Sequence, residues 1–528
     1  MSFIHILDCT LRDGGYCNQW KFGSNNINLI INGLTEANID IVECGFISEK
    51  INDELEISKY NSVERVVKYL PKNHNNTKYV VMMNYGEFNV KNIPVCSENT
   101  VDGIRVAFHK KDYVNALKQC RILKKKGYMT FIQAMVTMSY SDQEYLDLIS
   151  AVNKIKPYAF YIVDSFGMMK KRDILRYCSL VEHNLNEKIV VGFHAHNNLQ
   201  LAYSNTLTII DMLNRDLIID SSIYGMGRGA GNLNTELFVN YLNEEFNTDY
   251  RIEPILMLMD EVINKFHQKT YWGYSLPNYL SAIYNIHPNY AGYLSDKNTL
   301  TINEMNFIFN NFDSDKKTIY DKAYVEDLYF KYMCDGEIRK HHIEELSNTI
   351  HNKKILLIAP GKSSYNEREK IICEAKKKNV VSISINFNYQ YFNTDMIFIS
   401  NFRRYHSLNN TDKMKCIVTS NISDDKPYVR IDYKKYINDN EFVRDNAGLM
   451  LIKYLLDENV EEILLAGFDG YSCVMEENYI EPSMTFLIDD AYINNINNGL
   501  SAILTEYSKR KKISFLTKPK YVFIDHLT

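Results

Sequence analysis

From residue 3 to about 245, short apolar runs alternate with longer amphipathic ones. The apolar runs are Phe3–Leu7, Asp40–Cys44, Tyr79–Met83, Gly103–Phe108, Met129–Val136, Phe160–Val163, Ile189–Phe193 and Leu217–Ile223. Runs this short and this apolar suit strands covered on both faces. The stretches between them repeat with helical period, as in Tyr113–Lys126, whose three closing lysines precede Gly127, and Leu199–Leu213. Eight strand–helix units in about 245 residues predict an α/β fold, with a (β/α)8 TIM barrel over residues 1–245. The helix after Met83 is the least regular of the set.

Residues 246–350 read as helices and predict a helical extension capping the barrel. From 351 to 528 the alternation resumes at Ile355–Ala359, Val380–Asn386, Met396–Ser400, Cys416–Thr419 and Ile463–Ala466. That spacing predicts a Rossmann-like α/β domain. Its turn Pro360-Gly361-Lys362-Ser363-Ser364 lies between a strand and a helix, so Gly361, Lys362 and Ser363 are candidates for a phosphate, with Asp469 at another strand end and Arg403 and Arg404 near a third. A non-catalytic assembly module fits the same pattern.

In a TIM barrel the active site gathers at the carboxyl ends of the strands, and the polar residues fall there. Asp8, Arg12 and Asp13 follow the first strand, Glu43 closes the second and Asn84 the third. Arg105 and Gln133 lie in the fourth and fifth, and Asp164 ends the sixth. His194 and His196 close the seventh; two apart on a strand, they share a face. With Asp13 they offer one carboxylate and two imidazoles to a divalent cation, leaving positions for a chelating substrate. Arg12 beside Asp13 is placed to receive negative charge, with a structural ion pair to Glu43 or Asp164 as its other role, while Glu43, Arg105, Gln133 and Asp164 are candidate substrate contacts. The eighth strand runs into a glycine-rich loop, Gly225 to Asn232, that suits a phosphate cradle or a metal-proximal turn. Cys9 and Cys17 flank the site as packing residues or a thiol.

The motifs DCTLRDGG, IDIVECGF, VDSFG, HAHNNLQLAYSNT and GMGRGAGNLNTE, in that order, resemble the DRE-type metallolyase TIM barrels, the HMGL-like or pyruvate carboxyltransferase-like domains. Over roughly the first 290 residues the chain looks most like the 4-hydroxy-2-oxovalerate aldolases. The resemblance implies a metal-dependent carbon–carbon lyase using Mn²⁺ or Mg²⁺ on a 2-oxo acid through a pyruvate-type enolate. It aligns Asn232 with an asparagine that approaches the metal, and makes Tyr271 and Tyr274 candidates for a proton-transfer tyrosine from the helical extension. It also exposes a departure: Tyr16 stands where those aldolases carry a histidine base and is better suited as an acid or hydrogen-bond donor, which leaves His109, His287 and a metal-bound water as candidate bases. A Claisen-type condensing synthase acting on acyl-CoA is the alternative chemistry. A bifunctional protein whose C-terminal domain binds a nucleotide or sugar-nucleotide for surface glycan synthesis, and a non-catalytic scaffold, are the alternatives in other classes.

Composition narrows the partners. A net charge of −5 over 528 residues, without a basic block, argues against nucleic acid. No apolar run has the length of a membrane span, and the opening residues lack a signal-peptide layout, so a cytoplasmic protein is expected. Ten scattered cysteines without a CxxC pair read as reduced thiols. A small 2-oxo acid is the expected ligand, with self-association or a partner enzyme taking the product as the expected company.

Overall fold

Strand β1, Ile4–Asp8, opens a parallel barrel that continues through β2 (Ile41–Ile47), a two-residue β3 (Lys59–Tyr60), β4 (Lys78–Asn84), β5 (Gly103–Phe108), β6 (Met129–Ala134), β7 (Ala159–Asp164), β8 (Val190–Ala195) and β9 (Leu217–Ser221). The computed structural model describes residues 3–51, 56–72, 76–336, 342–389, 391–481, 484 and 490–523. Spatial order follows chain order, and β1 closes the barrel by pairing with both β9 and β2. Eight strands therefore form the wall, with β3 an appendage on the far side of β2.

The two-residue strand period separates two cores. Leu7, Ile41, Val80, Phe131, Tyr161 and Ile218 fill the barrel interior. Their neighbours Ile6, Val42, Val81, Ile132, Ile162 and Ile219 pack outward against the helices. Helix Asp142–Ile155 shows how the outer layer is specified: Ser141 and Glu144 form a capping box, and Leu148, Ile149, Val152 and Ile155 bury one stripe. Such a cap contributes about 1 kcal/mol. After β4 the chain runs to β5 through turns and bends, without the helix that the repeating pattern predicts there; the run is too short and irregular to hold one apolar stripe.

The chain divides into two units, one of Met1–Ala291 with Lys317–Tyr320, the other of Gly292–Lys316 with Asp321–Thr528. Residues 246–350, expected as one extension of the barrel, are thus shared. Helices Ile252–Leu258 and Leu276–Tyr284 belong to the barrel unit, whereas Ile302–Asn310, Lys322–Cys334 and Ile343–Ile350 belong to the other. Helical periodicity reports that a stretch is helical and amphipathic; it does not report which core receives the apolar face.

The second unit is built on a parallel sheet of β10 (Lys354–Ile358), β11 (Val380–Ile385), β12 (Met396–Ile399), β13 (Cys416–Thr419), β14 (Val429–Ile431), β15 (Glu462–Ala466) and β16 (Ile513–Phe515). Their spatial order is β14-β13-β12-β11-β10-β15-β16, the open α/β arrangement expected. The three-residue strands β14 and β16 were not anticipated, being too short to register as apolar runs. Among the described residues no helix is long and apolar enough to cross a membrane.

Candidate metal centre

The loop after β1 is pinned before it reaches the site. Asp8 accepts from the Thr10 amide at 2.9 Å and from the Thr235 hydroxyl at 2.7 Å, and Thr10 Oγ1 accepts from the Ile223 amide at 2.8 Å. Burial lifts the Asp8 pKa to about 6, which suits a structural tie between the first and last strands. The amides of Arg12 and Asp13 then both donate to the Cys9 carbonyl, a tight turn that folds the two charged side chains back over the barrel mouth.

There Asp13 meets the histidines that end β8. One ligand atom each from Asp13, His194 and His196 lies within 4.8 Å of the others, and all three residues are buried. The imidazoles stand nearly perpendicular, their centroids 5.1 Å apart. Burial drives the His196 pKa down to about 3, so the ring is neutral and its lone pair is available. Burial by itself would raise the Asp13 pKa; the Arg12 charge, with Arg228 adding to it, instead holds it well below the carboxylate range. An anionic oxygen beside two imidazoles is the donor set of a divalent cation.

The glycine-rich loop after β9 completes the pocket. Asn232 pairs with His196 in an antiparallel bridge and donates from Nδ2 to Asp13 Oδ2 at 2.8 Å. Its Oδ1 is buried and has no partner among the described residues, so a cation beside Asp13 would satisfy an oxygen that nothing else does. Gly227 makes the approach feasible: a Cβ there would sit 2.3 Å from Asn232 Nδ2 and 2.6 Å from Asp13 Oδ2.

Behind the triad runs an unbroken chain of buried charges. Arg12 donates from Nη1 to Asp13 at 2.5 Å and from Nε to Glu43 at 2.7 Å. Arg105 Nη1 meets the same Glu43 oxygen at 2.7 Å, and Arg105 Nη2 bonds Asp220. Asp220 in turn lies 2.9 Å from His194 Nδ1. Gln133, in the amide orientation its neighbour demands, accepts from Arg105 Nη2 at 2.7 Å. Glu43 and Arg105 are fully buried, and they face each other. Alternating charges offset the desolvation that each would suffer alone. Arg12 Nη2 is buried and unpartnered among the described residues. Asp220 was not singled out from the sequence; a lone carboxylate inside the apolar run of β9 is the signal that would have found it.

A cavity of about 280 Å³, lined by Tyr16, His109, Arg228 and His287 among others, lies beside this centre. The Arg228 guanidinium stands 5.2 Å over the Tyr16 ring, and burial raises the Tyr16 pKa above its ordinary value. His287 Nδ1 lies 3.2 Å from the Asn289 amide, and burial takes its pKa to about 3. Burial also lowers the His109 pKa.

Other sequence candidates fall elsewhere. Asp164 accepts from the Met168 and Met169 amides at 2.9 and 3.0 Å, and burial raises its pKa to about 7; it organises its own loop. Tyr271 and Tyr274 are exposed, the Tyr271 hydroxyl donating to the Tyr274 carbonyl, and neither lines the cavity. Burial raises the thiol pKa of Cys9, and that of Cys17 to about 12, so both are poor nucleophiles. In the C-terminal unit the Ser363 amide and hydroxyl both donate to Asp469, the amide at 2.7 Å. The Gly361-Lys362-Ser363 turn is thereby capped by a carboxylate from its own domain.

Known proteins resemble the N-terminal part of the chain. The HMGL-like family matches residues 3–262. A 4-hydroxy-2-oxovalerate aldolase from Geobacillus genomosp. 3 is 27% identical over 242 residues, 46% of this chain and 70% of that protein. One from Carboxydothermus hydrogenoformans is 28% identical over 267 residues, 49% of this chain and 77% of its own length. The crystal structure of the N-terminal domain of a candidate aldolase from Bacteroides vulgatus is 30% identical, covering 57% of this chain and 99% of that one, with a TM-score of 0.49. The N-terminal barrel, residues 3–262, is an HMGL-like domain.

Proposed function

We propose that the barrel is a divalent-metal-dependent aldolase that cleaves a hydroxylated 2-oxo acid into a pyruvate-type product and an aldehyde. The observation that carries this reading is the buried Asp13, His194 and His196 set beside an arginine with one unpaired nitrogen. Asp13, His194 and His196 would hold the ion, Mn²⁺ or Mg²⁺, with Asn232 Oδ1 adjacent. When bound, the ion supplies Lewis acidity toward the carboxylate and keto oxygens of a 2-oxo acid.

The protein's own residues account for the remaining demands. Cleaving the carbon–carbon bond sends its electron pair toward the keto oxygen, and Arg12, with Nη2 left over after its bonds to Asp13 and Glu43, donates to that growing charge. Its pKa is held well above the ordinary value: burial opposes the charge, and the fields of Glu43 and Asp13 outweigh it. Arg12 therefore stays cationic throughout.

The substrate hydroxyl must give up a proton as the aldehyde forms. Tyr16 cannot take it, since its raised pKa keeps the phenol protonated; it serves as a donor. His287 Nδ1 accepts from the Asn289 amide, which places its proton on Nε2 and makes it a donor too. His109 makes no side-chain hydrogen bond among the described residues, lines the same cavity and is kept neutral by burial. It is the base in this reading, replacing the histidine that Tyr16 displaced.

The test is metal analysis of the purified protein combined with exchange of the pyruvate methyl protons in deuterated water. Bound Mn²⁺ or Mg²⁺ and metal-dependent exchange are expected; no exchange with any divalent metal overturns the proposal.

A further inference from the structure

The C-terminal sheet reverses its winding between β10 and β15. Strands β10 to β14 step outward in one direction, whereas β15 and β16 lie on the other side of β10. The loops that leave the two central strands part there, and open α/β sheets bind ligands in the crevice beyond those carboxyl ends. In this unit a cavity of about 510 Å³ occupies it, within the size range of small-molecule sites. Gly361 follows β10, Gly467 and Asp469 follow β15, Asn386 follows β11, and Arg404 lies just past β12; all line the cavity.

Two side chains on this wall are chemically unfinished. The Arg404 guanidinium makes no hydrogen bond or ion pair among the described residues; the charged or titratable groups that act on it are Tyr479 and Arg403, and burial draws its pKa below the ordinary value. Asn386 Oδ1 is buried without a donor among the described residues. Asn386 adopts a left-handed backbone, φ +62°, and its amide is bonded to the Phe398 carbonyl, so the residue is held in place at the strand end. A desolvated cation lacking a counter-ion favours an anion from solution, and an unpaired amide oxygen favours a donor. The cavity is also lined by Tyr471 and Tyr479, their hydroxyls 3.0 Å apart, and by Tyr521. Such rings supply flat apolar surface with polar rims.

The same geometry moves the anion away from the Pro360–Ser364 turn. There the Ser363 amide already bonds Asp469, and a phosphate would have to displace a carboxylate. Arg404, on the cavity wall, is a cation without a carboxylate partner among the described residues.

We propose that this cavity binds a phosphorylated small molecule bearing a ring, a nucleoside phosphate or a sugar phosphate, with Arg404 holding the phosphate and Asn386 Oδ1 accepting from a ring or hydroxyl donor. The barrel chemistry plays no part in this inference. The test is isothermal titration of the full chain with three probes: uridine 5′-diphosphate, glucose 6-phosphate and inorganic phosphate. One ring-bearing probe is expected to bind in the micromolar range and more tightly than inorganic phosphate, and which one it is identifies the source of the phosphate. Arg404→Gln should weaken that binding by about tenfold or more, with Arg404→Lys weakening it less and both variants melting near the wild-type temperature. Should Arg404→Gln fail to fold, Asn386→Ala takes its place, with a smaller loss expected. Absence of binding by all three probes at millimolar concentration overturns the proposal. So does unchanged affinity in Arg404→Gln, or in Asn386→Ala where that variant stands in, and so does inorganic phosphate binding as tightly as both ring-bearing probes.

Discussion

Asp220 Oδ2 lies 2.9 Å from His194 Nδ1, and Asp220 is in turn bonded to the fully buried Arg105. A carboxylate on one ring nitrogen orients the imidazole and leaves the other nitrogen for a cation. Asp220→Asn should keep the fold while weakening Mn²⁺ binding by about 10- to 100-fold. A metal titration followed by calorimetry measures it; wild-type affinity in a folded variant would detach Asp220 from the centre.

Arg12 ties Asp13 to Glu43 and keeps one nitrogen spare. Arg12→Lys retains a charge but cannot reach both carboxylates and a substrate oxygen together. The expected cost is a fall in kcat of about 10²- to 10³-fold, with a much smaller change in KM. Steady-state rates and pyruvate proton exchange should fall in parallel.

The assignment of His109 as base carries a pH signature. A base works deprotonated, and burial sets the His109 pKa below the ordinary 6.5. The rate should therefore be flat through neutrality and decline as pH falls through a value under 6.5. His109→Gln should remove that acid limb and lower kcat by about 10²- to 10⁴-fold. An acid limb that persists in this variant assigns the base to another group.

Gly227 leaves room for Asp13 and Asn232 to meet. The β-carbon of Gly227→Ala would lie 2.3 Å from Asn232 Nδ2, closer than non-bonded atoms pack, so the asparagine or the loop must shift. The variant is expected to fold, to bind Mn²⁺ at least about tenfold more weakly and to lose activity in proportion. Metal titration beside a melting curve separates this from general destabilisation.

Removing the metal should lower the melting temperature, because a ligand that binds only the folded state stabilises it by about 2.7 kcal/mol at a hundred times its Kd. Differential scanning calorimetry with EDTA and with added Mn²⁺ checks this, and identical curves would argue that no ion is held by the folded barrel.

Much of this protein is written in one dimension. The eight barrel strands, the parallel sheet after residue 351 and the polar residues at strand ends follow from period and run length, because burial on both faces demands continuous apolar runs whatever the neighbours are. The nearness of Asp13 to His194 and His196 followed from the closure of such a barrel, which brings the first and seventh strand ends to one mouth. What the linear order could not carry was the partner of each charge. Glu43 and Arg105 look like substrate contacts at strand ends, yet Arg105 pairs with both Glu43 and Asp220, because a desolvated charge seeks whichever opposite charge the folded barrel brings nearest. For the same reason Asp469, 106 residues from Ser363 in sequence, caps a turn that resembles a phosphate site. Period and polarity are local properties of the chain; pairing and desolvation exist only once the chain has closed on itself, and the tertiary structure decided them.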